Sequence, residues 1–179
     1  MQVPVEVYFV DATQQHMTPA LRSVPPTATV TTELVSVLHA LLAGPTPVEI
    51  EQGTQTAITA GIHLLDASVA GKLATVDFSQ AFGDISGTQE VLAVAQVVYT
   101  VADKLGTGIA VQFEIGGVPV QVPSATGAQQ QGPVVLLDYY PALAPVPGSA
   151  TTSTTPTVGA ATTAGEAGVT AIGSRDRTG

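Results

Sequence analysis

Cysteine and tryptophan are both absent from the sequence. Without cysteine the chain can form no disulfide, offers no thiolate nucleophile and holds no cysteine-ligated metal, and its redox compartment stays open. Without tryptophan, and with four tyrosines that are mostly dispersed, it shows no aromatic platform on which a sugar ring would stack. A glycosidase, which also needs a facing pair of carboxylates, is therefore disfavoured.

Charge is scarce, and almost all of it is negative. Charged residues make up 11% of the chain, against about a quarter in an ordinary soluble protein. Before position 145 the basic residues are Arg22, Lys72 and Lys104, whereas twelve carboxylates lie there, so this part carries the whole formal charge of −9. Nucleic acid and anionic lipid are poor partners, because binding them needs clustered lysine and arginine. A basic protein or a neutral glycan stays open as a partner.

Long hydrophobic runs are also missing. The most apolar stretch, 91–102, is interrupted by Gln96 and bounded by Glu90 and Asp103, well short of the ~18 apolar residues of a membrane-spanning helix. The first residues show no basic segment followed by an apolar one, so no signal peptide is predicted. We expect a chain that does not span the membrane. It is either cytoplasmic or exported through a signal outside this sequence.

The length suits one domain with a tail. From Pro145 onward threonine, proline, alanine and glycine dominate. A segment of this composition buries too little apolar surface to offset the entropy lost on ordering. The sequence therefore predicts a folded domain over 1–144 and a disordered tail over 145–179.

Several apolar segments, most of them alternating or bounded by turn residues, predict strands. They are 3–10, a hairpin of 62–69 and 73–78, 109–115, and a short returning segment 118–122. Residues 11–29 are mostly polar and contain three prolines. They are predicted to form a loop with only a short extended piece over 21–24.

Two segments have the 3.6-residue periodicity of amphipathic helices. The first opens at Thr31–Glu33, is capped by Thr29 or Thr31, and ends at Gly44, with Pro45 just beyond. Its predicted buried stripe is Leu34, Val35, Leu38, Leu41 and Leu42.

The second predicted helix covers 88–105 and is capped by Ser86 or Thr88. Its predicted apolar stripe is Val91, Val94, Ala95, Val98, Val101, Ala102 and Leu105. Gln96 and Thr100 lie about one turn apart in this otherwise apolar helix. Buried polar groups need hydrogen-bond partners, so both are predicted to tie the helix to a neighbouring loop.

No residue set has the spacing of a catalytic or metal site. His16, His39 and His63 fall in three different segments without a metal-ligand pattern. Asp77 and Ser79 share one face of a strand, but no nucleophile elbow is present, and a strand-end hydrogen-bonding role is favoured. We expect no catalytic residue, no bound metal and no cofactor.

Glu49 and Glu51 are the closest carboxylate pair in the sequence. They follow Pro45 and Pro47, which favours a short helix or a turn at this point. Residues two apart on a helix do not face each other, so the two carboxylates are unsuited to joint acid–base chemistry. They are predicted to be solvated surface acids.

Three short motifs follow one another along the chain: one at the end of the first helix, one at the end of a strand and one within the second helix. Their central residues are Gly44, Pro45 and Thr46; Asp77, Phe78 and Ser79; and Gln96, Tyr99 and Thr100. In this order, preceded by Tyr8-Phe9 and by the extended segment around Arg22, they resemble the GerMN domain family of sporulation and spore germination. The resemblance covers about residues 5–143.

That resemblance implies an α+β domain in which two amphipathic helices pack on a three- to four-stranded sheet, as in small ring-building motifs. It implies a non-catalytic, extracytoplasmic module of the cell envelope, of the kind found in some bacterial lipoproteins. The implied partner is an envelope protein, peptidoglycan or a second copy of the chain. The nine motif residues are expected to be structural.

Two other functions stay open from the sequence. The chain could be a small cell-wall hydrolase or esterase that uses Asp77, Ser79 and His63. Alternatively, it could be a purely structural module that assembles into rings, which sedimentation would separate from a monomeric binding domain.

Overall fold

The computed structural model describes residues 1–140 and 142–145. The predicted disordered tail, 145–179, lies outside the described residues from 146 onward. Within the described residues, no helix combines the length and the apolar character needed to cross a membrane.

The chain begins with a two-stranded antiparallel hairpin. Strand β1 is Val3–Val10, and it pairs along its whole length with β2, Met17–Val24. Val5, Val7 and Phe9 of β1 are buried, which confirms the predicted alternation. These two strands form a sheet of their own, separate from the main sheet. Strand β1 therefore has a neighbouring strand, β2, on one edge, and the backbone groups on its other edge are open to bonds from elsewhere in the protein.

The prediction of a loop over residues 11–29 is wrong for β2, which is a full strand of eight residues. Its proline is tolerated because of its position. Pro19 lies opposite Tyr8, and the backbone N–H of Tyr8 donates to a side chain on a helix instead of to β2. No ladder hydrogen bond is therefore required from position 19. Proline on the outer edge of β2 also discourages pairing with another chain.

The main sheet contains β3, Leu64–Ala70, followed by β4, Leu73–Phe78, and β5, Ala110–Ile115. Strands β3 and β4 form the predicted hairpin, whereas β4 and β5 run parallel. Two short strands, β6 (Val118–Pro119) and β9 (Val134–Val135), pair with opposite ends of β5. Strands β7 (Val122–Pro123) and β8 (Gln129–Gln130) form a small separate pair.

The helices of the described residues are α1, Val30–Leu42, α2, Pro47–Glu51, and α3, Thr88–Leu105. Thr29 caps α1 as predicted, through its hydroxyl oxygen and the N–H of Thr32. The predicted cap of α3 at Ser86 or Thr88 is wrong, because Gly87 occupies the cap position and no side chain caps it. The predicted α+β class is confirmed.

The central element of the fold is α3. Every residue from 92 to 102 is buried, so this segment has no solvent face at all. The β1–β2 hairpin contacts one side of α3. In the sequence α3 is the crossover between the parallel strands β4 and β5. It also contacts α1, β7 and β9. The buried residues of the hairpin, the helices and the sheet form one continuous core.

Candidate functional site

The third motif lies in the buried middle of α3 and joins it to two other segments. Gln96 is fully buried; its Oε1 accepts from the backbone N–H of Ala57 at 2.7 Å, and its Nε2 donates to the carbonyl of Tyr8 at 3.1 Å. Thr100 Oγ1 accepts from the N–H of Tyr8 at 3.0 Å. The prediction of a tie to a loop is confirmed for Gln96, which bonds to Ala57 and also to β1. The prediction is wrong for Thr100, whose side chain bonds to the strand β1.

Tyr99, the remaining residue of this motif, is buried on the same helix. Its ring centroid lies 5.6 Å from that of Tyr8. Among the described residues its hydroxyl group has no hydrogen-bond partner. Burial raises the pKa of Tyr99 to about 12, and the nearby Tyr140 adds to this effect. Tyr99 therefore stays neutral near pH 7 and acts as a packing residue.

The first motif forms the connection between α1 and α2. Gly44 adopts a left-handed backbone with φ of 79°, which reverses the chain after α1. The Thr46 hydroxyl then accepts from the N–H of Glu49, while the Glu49 carboxylate accepts from the N–H of Thr46 at 2.7 Å. This reciprocal capping box fixes the start of α2.

Arg22 of β2 holds this connection against the hairpin. Its guanidinium group donates to both carboxylate oxygens of Glu49, at 2.8 and 2.7 Å, and to the carbonyl of Gly44 at 3.2 Å. It also lies 5.1 Å from the ring centroid of Phe9. The prediction that Glu49 is a solvated acid is wrong, since its carboxylate is partly buried and ion-paired. Glu51 is exposed.

The hydrogen bonds from Arg22 lower the pKa of Glu49, and its bond to Thr46 also contributes. Because the folded-state pKa lies below the ordinary value of 4.5, the ion pair stabilises the fold fully above that value. The stabilisation is lost as pH falls through the folded-state pKa.

We expect Arg22→Ala to lower the free energy of unfolding by about 2 kcal/mol at pH 7, because hydrogen bonds between charged groups are lost. Urea denaturation at pH 7 and near pH 3 measures the effect, which should shrink at the lower pH. Lys72→Ala removes the same charge from an exposed turn and is the matched control. An equal loss in both variants would contradict a specific role for Arg22.

The second motif ends β4. Phe78 is buried in the core, whereas Ser79 lies just beyond the strand. Ser79 Oγ accepts from the backbone N–H of His63 at 3.0 Å, and the N–H of Ser79 donates to the carbonyl of His63 at 2.8 Å. The serine thus closes the end of the β3–β4 hairpin. In the described structure its hydrogen bonds go to the backbone of His63, and none joins it to the imidazole ring.

Asp77 lies on the outer face of the main sheet, with Asp66 of β3 and Glu114 of β5 as its direct cross-strand neighbours. It makes no hydrogen bond to Ser79 or His63 within the described residues, and its Oδ1 atom is buried without a partner there. The structure therefore brings Asp77, Ser79 and His63 near one strand end without linking them into a relay.

The histidines lie in three separate places. His16 follows the β1–β2 turn, with Nδ1 3.1 Å from the carbonyl oxygen of Ala144. His39 is in the last turn of α1, and His63 directly precedes β3. Over residues 1–140 and 142–145, no group of three histidine, aspartate or glutamate residues is arranged to hold a metal ion.

A cleft that the sequence did not predict opens beside Gln96. It has a volume of about 200 Å³, and we call it the amide cleft because three glutamine side chains form its walls. Its lining residues are Val10, Gln14, Gln55, Thr56, Ala57, Gln89 and Leu92. Of the described residues that line it, none carries a charge.

Hydrogen bonds fix the walls of the amide cleft. Val10 and Gln55 exchange two backbone hydrogen bonds, each of 2.8 Å. Gln14 Nε2 donates to Gln55 Oε1 at 2.9 Å, and Gln89 Nε2 donates to the carbonyl of Ala57 at 3.1 Å. Gln96 Oε1 accepts from the N–H of Ala57, a residue of the cleft wall. The third motif therefore positions this wall.

The rim of the amide cleft is held in an unusual conformation. Gln14 has φ of 57°. Among the non-glycine residues that the structure describes, it is the one with positive φ. Asp11 stabilises this turn, since its carboxylate accepts from the Thr13 hydroxyl and from the N–H groups of Gln15 and His16. Burial alone would raise the pKa of Asp11, but these hydrogen bonds outweigh it and lower the pKa.

Close packing also joins the two loops at the rim. Gly53 lies against Ala12, and a Cβ atom at position 53 would come within 2.9 Å of the Ala12 Cβ. With φ of 92° as well, this position requires glycine.

Comparison with known proteins gives a family and a fold. Residues 6–121 match the family described as Germane: Sporulation and spore germination. No curated protein matches the chain. Two of the similar solved structures are the tandem GerMN domains and the first GerMN domain of the sporulation protein GerM from Bacillus subtilis.

The tandem structure has a TM-score of 0.56 and 18% identity, and the match covers 75% of this chain and 46% of that one. The single domain has a TM-score of 0.51 and 19% identity, with coverage of 74% and 97%. The chain thus spans less than half of the tandem protein and nearly all of the single domain. At these identities the similarity establishes the fold alone.

Proposed function

The chain belongs to the Germane family of sporulation and spore germination, and on this basis we propose that it is a non-catalytic docking module of the cell envelope. Residues 1–144 are the folded docking domain in this proposal. Its partner is an envelope protein or peptidoglycan. The proposed location is extracytoplasmic, on the ground of the chain's resemblance to this family.

One observation carries the non-catalytic part of the proposal: four polar side chains of the three motifs are hydrogen-bonded to backbone groups. Gln96 and Thr100 bond to β1, Ser79 bonds to His63, and Thr46 caps α2. A nucleophile needs a hydrogen-bonded base, and a general base must reach the proton that it removes. The geometry of these residues is that of a scaffold, so we infer that the nine motif residues are structural.

The charge of the chain narrows the class of partner. With a formal net charge of −9, the molecule repels polyanions at long range. Docking therefore favours a neutral or basic surface, such as uncharged glycan or a protein with exposed lysine and arginine. The hydrogen-bonding but uncharged amide cleft supports the same choice.

We expect the full-length chain to be retained in a saturable way by the envelope fraction of its source organism. The fraction is divided into a protein pool and a purified peptidoglycan pool, and retention of labelled chain is measured against each. Excess unlabelled chain is the control, since it competes only for specific sites. Absence of competable retention by either pool would overturn the docking proposal.

A further inference from the structure

We propose that the amide cleft binds the acetamido group of an N-acetylated amino sugar. The inference deepens the docking function proposed above, because it names the chemical group through which a glycan would be held. It depends on the geometry of Gln14, Gln55 and Gln89, which no motif contains.

The hydrogen-bonding pattern of the cleft complements a secondary amide. Gln14 Nε2 donates to Gln55 Oε1, which leaves Gln14 Oε1 as an acceptor and Gln55 Nε2 as a donor at the end of the paired side chains. An acetamido group offers one N–H donor and one carbonyl acceptor, so it can bond to both atoms at once. Gln89 Oε1 supplies a further acceptor for a sugar hydroxyl, since Gln89 Nε2 is engaged with Ala57.

The floor and the size of the cleft fit the rest of such a group. Val10 and Leu92 are buried apolar residues that line the cleft. The acetamido methyl group would pack against them, and its removal from water is favourable. A volume of about 200 Å³ corresponds to roughly seven water molecules in the liquid. This is small for a drug-sized ligand and suits a single sugar ring.

The walls are prepared for a ligand before it binds. Asp11 fixes the turn that holds Gln14 in its left-handed conformation, and the Val10–Gln55 bridge fixes the opposite wall. Such a backbone conformation is unfavourable for a residue with a side chain, and its retention by surrounding bonds is typical of functional sites. Preorganised side chains lose less entropy when a ligand binds.

The backbone arrangement favours a sugar over an extended peptide. A peptide that docks as an added strand needs free N–H and C=O groups on a strand edge. The backbone N–H and C=O groups of Val10 and Gln55 are already hydrogen-bonded to each other. A ligand must therefore be recognised by the side-chain amides of the cleft, which can form hydrogen bonds with a single, isolated amide group.

Affinity should be weak, because none of the residues lining the cleft is aromatic. We expect a dissociation constant on the order of 1 mM for a short oligosaccharide. Many copies of the sugar in a polymer would raise the apparent affinity through repeated rebinding.

The test is an NMR titration of the full-length, ¹⁵N-labelled chain with three probes. They are the trimer of β-1,4-linked N-acetylglucosamine, the glucose trimer of the same linkage, and N-acetyl-dialanine methylamide. We expect saturable shifts of the amide signals of Val10, Gln14, Gln55, Ala57 and Gln89 with the first probe. Binding of the glucose trimer should be at least tenfold weaker.

Variants locate the site. Gln14→Asn keeps a residue that tolerates the left-handed conformation but shortens the side chain, and Gln55→Ala removes the donor. Each should weaken binding of the acetylated trimer at least fivefold, with an unchanged fold by NMR. Gln131→Ala, which truncates an exposed glutamine outside the cleft, is the matched control and should bind normally.

Three results would overturn the inference. Equal binding of the two trimers would exclude acetamido recognition, and tighter binding of the dialanine probe would assign the cleft to peptides. No shift in the cleft with any probe would exclude a ligand of this class. Competable retention of the chain by the envelope protein pool is measured separately, so the docking proposal can stand where this inference fails.

Discussion

Gln96→Ala should lower the free energy of unfolding by about 3–5 kcal/mol. The substitution removes the partner of two backbone groups, the buried N–H of Ala57 and the partly buried carbonyl of Tyr8. Each unsatisfied buried group costs about 1–3 kcal/mol, and the lost side-chain volume leaves a cavity beside α3. For a chain of this length the melting temperature should fall by roughly 10 °C. Urea denaturation with matched thermal melts measures both quantities.

The control for this substitution is Gln131→Ala, which makes the same chemical change at an exposed site and should alter stability by less than about 0.5 kcal/mol. Gln96→Met is informative as well. It keeps most of the volume but neither hydrogen bond, so it should recover only the part of the loss that comes from the cavity. A Gln96→Ala variant as stable as the Gln131→Ala control would contradict the scaffold role of the third motif.

Phe78→Ala should be equally damaging, for a different physical reason. The Phe78 ring stacks on Phe82 with centroids 4.7 Å apart and lies 6.3 Å from Phe113. Truncation of a fully buried phenylalanine costs about 3–5 kcal/mol through lost burial and the cavity that remains. Part of this loss comes from aromatic contacts that no other side chain replaces. The same denaturation measurement gives its size.

Phe78→Leu retains most of the volume and should cost about half as much or less. Tyr140→Ala removes an aromatic ring that is 52% exposed, and its effect should be small. If Phe78→Ala and Tyr140→Ala lowered stability equally, the aromatic cluster would not be the centre of the core around the second motif.

The helices could be predicted because their signals are local. The leucines of α1 recur at helical spacing, and Thr29 and Gly44 mark its ends. The bounds of α3 were predicted from the same signals, but its burial was not. An amphipathic helix with one stripe was expected, whereas residues 92–102 are covered on all sides. The shortage of charge between Glu90 and Asp103 was the available signal, since helices that are apolar all round are buried.

Strand β2 was missed because strand signals depend on the partner strand. Pro19 within a short polar segment indicates a loop when the segment is considered alone. It is acceptable in a strand only because Tyr8, its partner in the ladder, directs its backbone toward Thr100 on α3. That contact spans more than ninety positions in the sequence, and nothing near Pro19 indicates it.

The amide cleft was missed for a related reason. Gln14, Gln55 and Gln89 come from three segments that are far apart in the sequence, and glutamine is common on protein surfaces. The ion pair of Arg22 and Glu49 was missed in the same way, since it connects β2 to α2. Gln96 and Thr100, two polar residues in an apolar helix, gave the local sign that these positions need hydrogen-bond partners.

The decisive measurement follows binding and turnover together in one sample. Full-length chain is incubated with purified peptidoglycan and, in parallel, with envelope protein, and retained chain and soluble products are quantified over time. We predict saturable retention by one of the two pools, with product release no greater than that of the Ser79→Ala variant. Release of sugar, peptide or acetate that grows with time and with the amount of chain, and that Ser79→Ala abolishes, would contradict a non-catalytic docking module.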